Sequence, residues 1–213
     1  PVENPTYRRS NAFPIVKEEC HAVRNAVGLM EVTGFGKYEV VGPDAEAWLN
    51  RILSNKMPKP GRMVLAPMLN PRGTIIGDFS VARLAEDRFL MIGSGVAEIY
   101  HMRWFEAHPP PPGTYIRPLP HALTGFMLAG PKSRELLQRL VFEDVSAEKF
   151  KFFAAREMVV GLAPCTGLRA SYTGDLGYEI WVTPDYQLTL YEALTEAGAD
   201  LGDRKCTRLN SSH

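Results

Sequence analysis

No apolar run in this chain approaches the roughly 18 residues that a membrane-spanning helix needs, so no membrane partner is expected. The start, Pro1-Val-Glu-Asn4, lacks the basic-then-apolar pattern of a secretion signal, and the missing initiator Met suggests a piece of something longer. Cysteine is scarce. The three present form no CxxC pair and no cluster with histidine, so neither a metal site nor a disulfide framework is suggested, which fits a reducing, cytoplasmic setting. No GxGxxG run occurs, because the glycines at 34 and 36 are not followed by one at 39, and the phosphate-cradling turn of a dinucleotide site is therefore missing. Charge of one sign is never blocked together, which argues against nucleic acid as the main partner.

What remains is an ordinary globular composition. Hydrophobic residues make up 45% and charged residues 23%, and 213 residues suffice for one large domain or two small ones with a real core. The last stretch stands apart. Asp203-Arg-Lys-Cys206 and the residues to His213 resemble a widely used sequencing-library adapter translated in frame, with Cys206 one base from the expected Ser. Residues 203–213 are set aside as an artefactual tail, and the natural protein is expected to continue past Gly202. Without the tail, 21 basic residues stand against 23 acidic ones, a slightly acidic body.

Residues 1–14 read as an incoming extended arm, and 15–108 as a first half. Val16, Cys20, Val23 and Val27 recur at helical spacing up to a stop at Gly28, and alternation over Leu29–Val41 suggests a single strand. Gly42-Pro-Asp44 opens a helix whose stripe is Trp48, Leu49, Ile52 and Leu53. Arg62–Leu69 and Thr74–Leu84 read as strands joined by the turn Asn70-Pro-Arg-Gly73, and Arg88–Ile92 as another. A helix follows over Val96–Ala107, with Ile99, Met102, Trp104 and Phe105 as its apolar residues. The proline run 109–113 reads as a stiff hinge before a second half, 114–202. In that half Ala122–Ala129 reads as a strand and Gly130–Val141 as a helix. Val40-Val-Gly-Pro at the start of one strand-helix unit is echoed by Leu128-Ala-Gly-Pro at the start of another, 88 residues on, which suggests two copies of one unit.

Each half offers a glycine-punctuated turn with a carboxylate. In the first, Asp78 sits inside an apolar strand, where it must be hydrogen-bonded, paired, facing a cavity, or simply on the solvent face. In the second, Tyr172 and Glu179 bracket a turn built on Gly174, Asp175 and Gly177. An aromatic ring, a carboxylate and bare backbone suit a flat, amide-bearing ring, although a plain hairpin with a buried Tyr is the simpler reading. Two such turns across a shared cleft would make a ligand site.

Taken together, Val23-Arg-x-Ala-Val-Gly-Leu29, Phe35-Gly-Lys-Tyr38, Gly42-Pro-x-Ala-Glu46, Met68-Leu-Asn-x-x-Gly73, Gly77-Asp78 and Tyr172-Thr-Gly-Asp-x-Gly-Tyr-Glu179 resemble the aminomethyltransferase family of the glycine cleavage system. The similarity runs from about Asn11 to Gly202 and is strongest to the folate-binding region of dimethylglycine and sarcosine dehydrogenases. The resemblance implies an α+β fold of two pseudo-repeated, ferredoxin-like halves, with a third, barrel-like domain missing from this chain. It implies tetrahydrofolate as cofactor, with FAD only in an upstream domain that this chain lacks, and an amine as the small-molecule partner. Asp78 matches the family's essential aspartate, and Tyr172 and Glu179 match its pterin contacts. Arg169 and Leu65 are assigned to the same site, Leu65 standing where many relatives carry a Tyr. Gly77 replaces the first Asp of the Asp-Asp pair of aminomethyltransferases, which favours the dehydrogenase branch.

The expected activity is capture of a methylene unit from an N-methyl or aminomethyl amine, without metal or covalent intermediate. A stand-alone aminomethyltransferase-like protein and a non-catalytic folate-family scaffold are the alternatives. The iron–sulfur maturation relatives carry a Cys in the run equivalent to Arg169-Ala-Ser-Tyr172, and this chain does not.

Overall fold

The structure, a computed structural model, describes residues 7–202 and the backbone of Arg204–Lys205. Residues 1–6 of the expected arm and most of the adapter-like tail lie outside the described residues. Chain order is α1 (Phe13–Asn25), β1 (Gly28–Glu31), β2 (Gly36–Val41), α2 (Ala45–Ile52), β3 (Arg62–Leu69), β4 (Ile75–Ala85), β5 (Arg88–Gly93) and α3 (Glu98–Ala107). Then come β6 (Tyr115–Pro118), β7 (Thr124–Ala129), α4 (Ser133–Gln138), β8 (Ala155–Val160), β9 (Ala163–Leu168), β10 (Gly177–Val182), α5 (Gln187–Gly198) and the short β11 (Arg204–Lys205).

The strands form two sheets, one ordered β3-β4-β5-β2-β6 and the other β11-β1-β7-β10-β9-β8. The run β8-β9-β10-β7 repeats the hydrogen-bonded order β3-β4-β5-β2, and in both sheets a further antiparallel strand follows, β6 at the edge of one and β1 beside the short β11 in the other. Alternation along each strand divides the apolar side chains among three cores. Tyr38, Val40, Phe79 and Val81 face α2 and α3, whereas Tyr178, Ile180 and Val182 face α4 and α5. Between the sheets lies a third core, with Met63, Ala82 and Ile92 from one and Met127, Leu168 and Trp181 from the other. Both sheets are therefore buried on two faces, in the layer order helix, sheet, sheet, helix. At one corner the sheets are tied by backbone, Met63 N–H to Phe153 O at 2.9 Å and Ala155 N–H to Gly61 O at 2.9 Å.

The Gly-Pro echo is visible as geometry. Gly42 and Gly130 have φ of +140° and +128°, a region closed to most side chains. A Cβ on Gly42 would stand 2.5 Å from Thr114 Cα, and one on Gly130 would stand 2.5 Å from Ala26 O. Both backbones turn into a helix against a neighbouring segment, with no room for a side chain.

Several expectations are corrected. Leu29–Val41 is not one strand: the turn over Val32–Phe35 carries the chain from one sheet to the other, splitting it into β1 and β2. The proline run does not separate the sheets, since β6 beyond it pairs with β2, and the run joins α3 to β6 inside the first sheet. Its end is held by the Asp44 N–H, which donates to Thr114 Oγ1 at 3.1 Å. In α1 the buried face runs through Glu19, Ala22 and Val23 while Cys20 is exposed. In α3 the inward residues are His101 and Phe105, and Ile99 is exposed, because a 3-10 turn over Gly95–Ala97 rotates the entry to the helix. The helix after Gly130 is short, ending at Gln138. The stripe of α2 stands as expected, with Trp48, Leu49, Ile52 and Leu53 all buried.

Candidate functional site

The inner faces of the two sheets carry the polar side chains that the apolar cores do not explain. Along β4, Phe79 and Val81 point to the helices and Ala82 to the facing sheet, so Asp78 and Ser80 also point inward. Along β3, Val64, Ala66 and Met68 point to the helices and Met63 inward, which puts Leu65 on the inner face. Pro67 pairs with Asp78 and Leu65 with Ser80, so Leu65 and Asp78 are diagonal neighbours on one surface. Both are exposed, and Asp78 has no hydrogen bond or ion pair among the described residues.

On the other sheet Tyr178 and Ile180 point to the helices and Trp181 inward, so Glu179 faces the first sheet. Its Oε2 accepts the Trp181 indole N–H at 3.2 Å, and Oε1 has no donor among the described residues. Glu179 pairs with Met127 and Leu168 on either side, so apolar neighbours surround the carboxyl. Burial pushes its pKa up, and the indole hydrogen bond opposes this in part.

Tyr172 stands on the turn between β9 and β10, with 71% of its surface exposed. That turn is built from its own hydroxyls: Ser171 Oγ lies 2.8 Å from Thr173 Oγ1, and Ser171 Oγ accepts the Thr173 N–H at 3.3 Å. Arg24 of α1 pins it through an ion pair with Asp175 at 2.9 Å. No hydrogen bond or ion pair joins Tyr172 to Asp78 or Glu179 among the described residues.

Arg169 is not brought to this surface. Leu168 before it faces inward, and the Arg169 guanidinium lies 5.1 Å over the Tyr178 ring on the helix side, donating to Gly177 O at 3.2 Å. It props the β9–β10 turn from behind. Its assignment to a shared site with Glu179 is therefore corrected to a supporting place.

Two features were missed. Lys37 carries no role in the sequence reading, yet it is 1% exposed and its Nζ sits 5.8 Å over the Trp181 ring on the inner face, donating to Thr33 O at 2.6 Å. Desolvation lowers its pKa, against the opposing pull of Glu98 and Glu31. The second is a buried pair behind β4. Tyr38 Oη lies 2.9 Å from His101 Nδ1, and a Cβ on Gly77 would stand 2.8 Å from Nε2 on the other edge of that imidazole. Burial holds the His101 pKa down. The only sequence signal for either was Phe35-Gly-Lys-Tyr38, in the resemblance.

Two clefts lie away from these residues. One, of about 640 Å³, is lined by Arg51, Leu69, Asn70, Trp104 and His108, and another, of about 570 Å³, by Arg134, Gln138, Arg139 and Asp144.

Two face-to-face antiparallel sheets with helices outside define an α+β domain of the aminomethyltransferase kind. Superposition agrees: the glycine cleavage system aminomethyltransferase T from Bartonella henselae matches with a TM-score of 0.77 at 23% identity, over 90% of this chain and 50% of that one. The chain belongs to the GCVT N-terminal domain family, which matches residues 2–209. Mitochondrial dimethylglycine dehydrogenase of Rattus norvegicus is 33% identical over 200 residues, 93% of this chain and 23% of that protein. An aminomethyltransferase of Caldanaerobacter subterraneus subsp. tengcongensis is 30% identical over 192 residues, 89% and 51% respectively. The chain thus spans about a quarter to a half of the length of these relatives.

Proposed function

We propose that this chain is the tetrahydrofolate-binding part of a one-carbon-transferring enzyme, one that captures a methylene unit from an N-methyl or aminomethyl amine. The observation that carries the reading is Glu179, a half-buried carboxylate on an inner sheet face with one oxygen that has no protein donor among the described residues. A carboxylate drawn partly out of water gains from donors that replace the lost hydration. An amino-pyrimidinone edge supplies them, two N–H groups in the plane of a carboxylate. Tyr172, exposed beside the turn, has a ring face available for packing on a pterin.

Bound there, the reduced pterin supplies the nucleophilic nitrogen that takes up the one-carbon unit. Asp78 is the residue to accept or hold the proton of that nitrogen and to stabilise positive charge developing beside it, and its freedom from protein partners supports that role. Leu65, its diagonal neighbour, gives the ring an apolar edge. In the parent protein an upstream FAD domain would generate the methylene unit, and a downstream barrel domain would close the site. The similar strand orders of the two sheets, and the matching backbone at Gly42 and Gly130, support a pair of duplicated halves as the frame.

Calorimetric titration with 5-formyltetrahydrofolate tests the reading. Micromolar binding is expected, and Glu179→Ala should weaken it tenfold to a hundredfold, the range for hydrogen bonds to a charged group. Wild-type affinity in Glu179→Ala would contradict the assignment.

A further inference from the structure

We infer that Lys37 is a positioning residue for Glu179, acting through Trp181: the ammonium lies over the indole face and sets its plane, and the indole N–H aims the carboxyl. The inference rests on the assignment of Glu179 to the pterin edge and extends it to the opposite sheet.

Three observations support this. Lys37 is sealed at 1% exposure on the inner face of β2, a place where an unpaired ammonium is unfavourable. The one hydrogen bond of its ammonium among the described residues goes to Thr33 O, and the indole of Trp181 is the aromatic face it meets. Trp181 is itself 1% exposed, so its ring has no freedom to swing, and its N–H is the sole protein donor to Glu179 among the described residues. A cation over the ring face draws electron density from the indole and sharpens the N–H as a donor. Lys37 on one sheet and Glu179 on the other thus meet through one ring. The charged groups on the inner faces are Lys37 and Glu39 from β2, Asp78 from β4, Arg88 from β5, Arg117 from β6 and Glu157 from β8, with Arg88 paired to Glu157 and Arg117 to Glu39; Glu31 from β1 and Glu98 from α3 act on the ammonium. From β7 and β9 only Met127 and Leu168 flank Glu179.

The test is a cycle of Lys37→Met, Trp181→Phe and the double variant, titrated calorimetrically with 5-formyltetrahydrofolate. Lys37→Met is close in volume and removes a buried charge, so the fold is retained. Each single change is expected to weaken binding roughly tenfold, and the double variant no further than Trp181→Phe alone, because the lysine works through the indole. Unchanged affinity in Lys37→Met, or losses that multiply in the double variant, would overturn the inference. A second readout needs no ligand. Trp181 emission, identified by its loss in Trp181→Phe, should report the ionisation of Glu179 as a step in pH, and Lys37→Met should move that step upward, since the indole hydrogen bond that favours the carboxylate is then weaker. No step, or a step left in place, overturns the coupling. Failure of wild type to bind the folate, with the step still moved, would overturn the pterin reading alone.

Discussion

Glu179→Gln is expected to make the protein more stable at neutral pH and a poorer binder of reduced folate. The residue is half-buried among apolar neighbours, and desolvation raises the pKa of its carboxyl. Between the ordinary value near 4.5 and the raised one, the unfolded chain releases a proton that the folded chain keeps. Folding stability therefore falls as pH rises through that window, and the loss persists above it. Gln removes the ionisation and can still accept the Trp181 N–H. Urea melts should show the variant more stable by about 1 kcal/mol at pH 7, with the advantage shrinking toward pH 4. Its amide nitrogen turns a donor toward a donor edge, so affinity should drop by at least tenfold. A variant less stable than wild type at pH 7 would mean that the carboxylate is satisfied by the protein itself.

The second large effect is Gly77→Asp, which restores the Asp-Asp pair implied for aminomethyltransferases. A Cβ at this position would meet His101 Nε2 and Phe79 Cε2, each at 2.8 Å. The imidazole cannot retreat, because Tyr38 Oη holds Nδ1 and the Phe79 ring lies 4.8 Å away. Overpacking of this kind costs about 1–3 kcal/mol, and disruption of the buried Tyr38–His101 bond adds about 1 kcal/mol. We expect Gly77→Asp to lower stability by roughly 3 kcal/mol in thermal or urea melts. In a His101→Ala background the same change should cost markedly less, a coupling that sites in contact show and distant ones do not. Additive losses would mean that His101 is not what limits residue 77.

Which parts of this architecture were legible follows from where the deciding contacts lie. The α2 stripe and the β3–β4 hairpin were readable because their signals are local. Gly42-Pro43 starts the helix, and the Asn70 side chain organises the turn by accepting the Arg72 N–H at 2.9 Å and the Thr74 N–H at 3.2 Å. The split of 29–41 was not readable, because β1 and β2 alternate alike and only their pairing partners, β7 and β5, assign them to different sheets. The same limit hid the site. Alternation places Lys37 opposite Tyr38 on either reading of the strand, but a lysine on an inner face looks like one in solvent until a second sheet covers it. Arg169 was misplaced by one residue of the same alternation, since Leu168 takes the inner face and sends the guanidinium behind the sheet. Asp78 and Glu179 stand out in the sequence through their glycine-punctuated turns as well as through the resemblance; that both face inward is a property of the sheets.

The three tryptophans allow one decisive measurement. The Trp181 N–H bonds to Glu179 on the inner face, that of Trp48 bonds to His108 O in the helix-side core at 2.8 Å, and Trp104 lines the cleft of about 640 Å³. In a nitrogen–proton correlation spectrum, each indole resonance, assigned by single Trp→Phe variants, marks a different part of the molecule. On titration with 5-formyltetrahydrofolate the Trp181 resonance should shift saturably while those of Trp48 and Trp104 stay near their starting positions. A saturable shift confined to Trp104, with Trp181 unmoved, would put the ligand in the outer cleft and contradict the inter-sheet site.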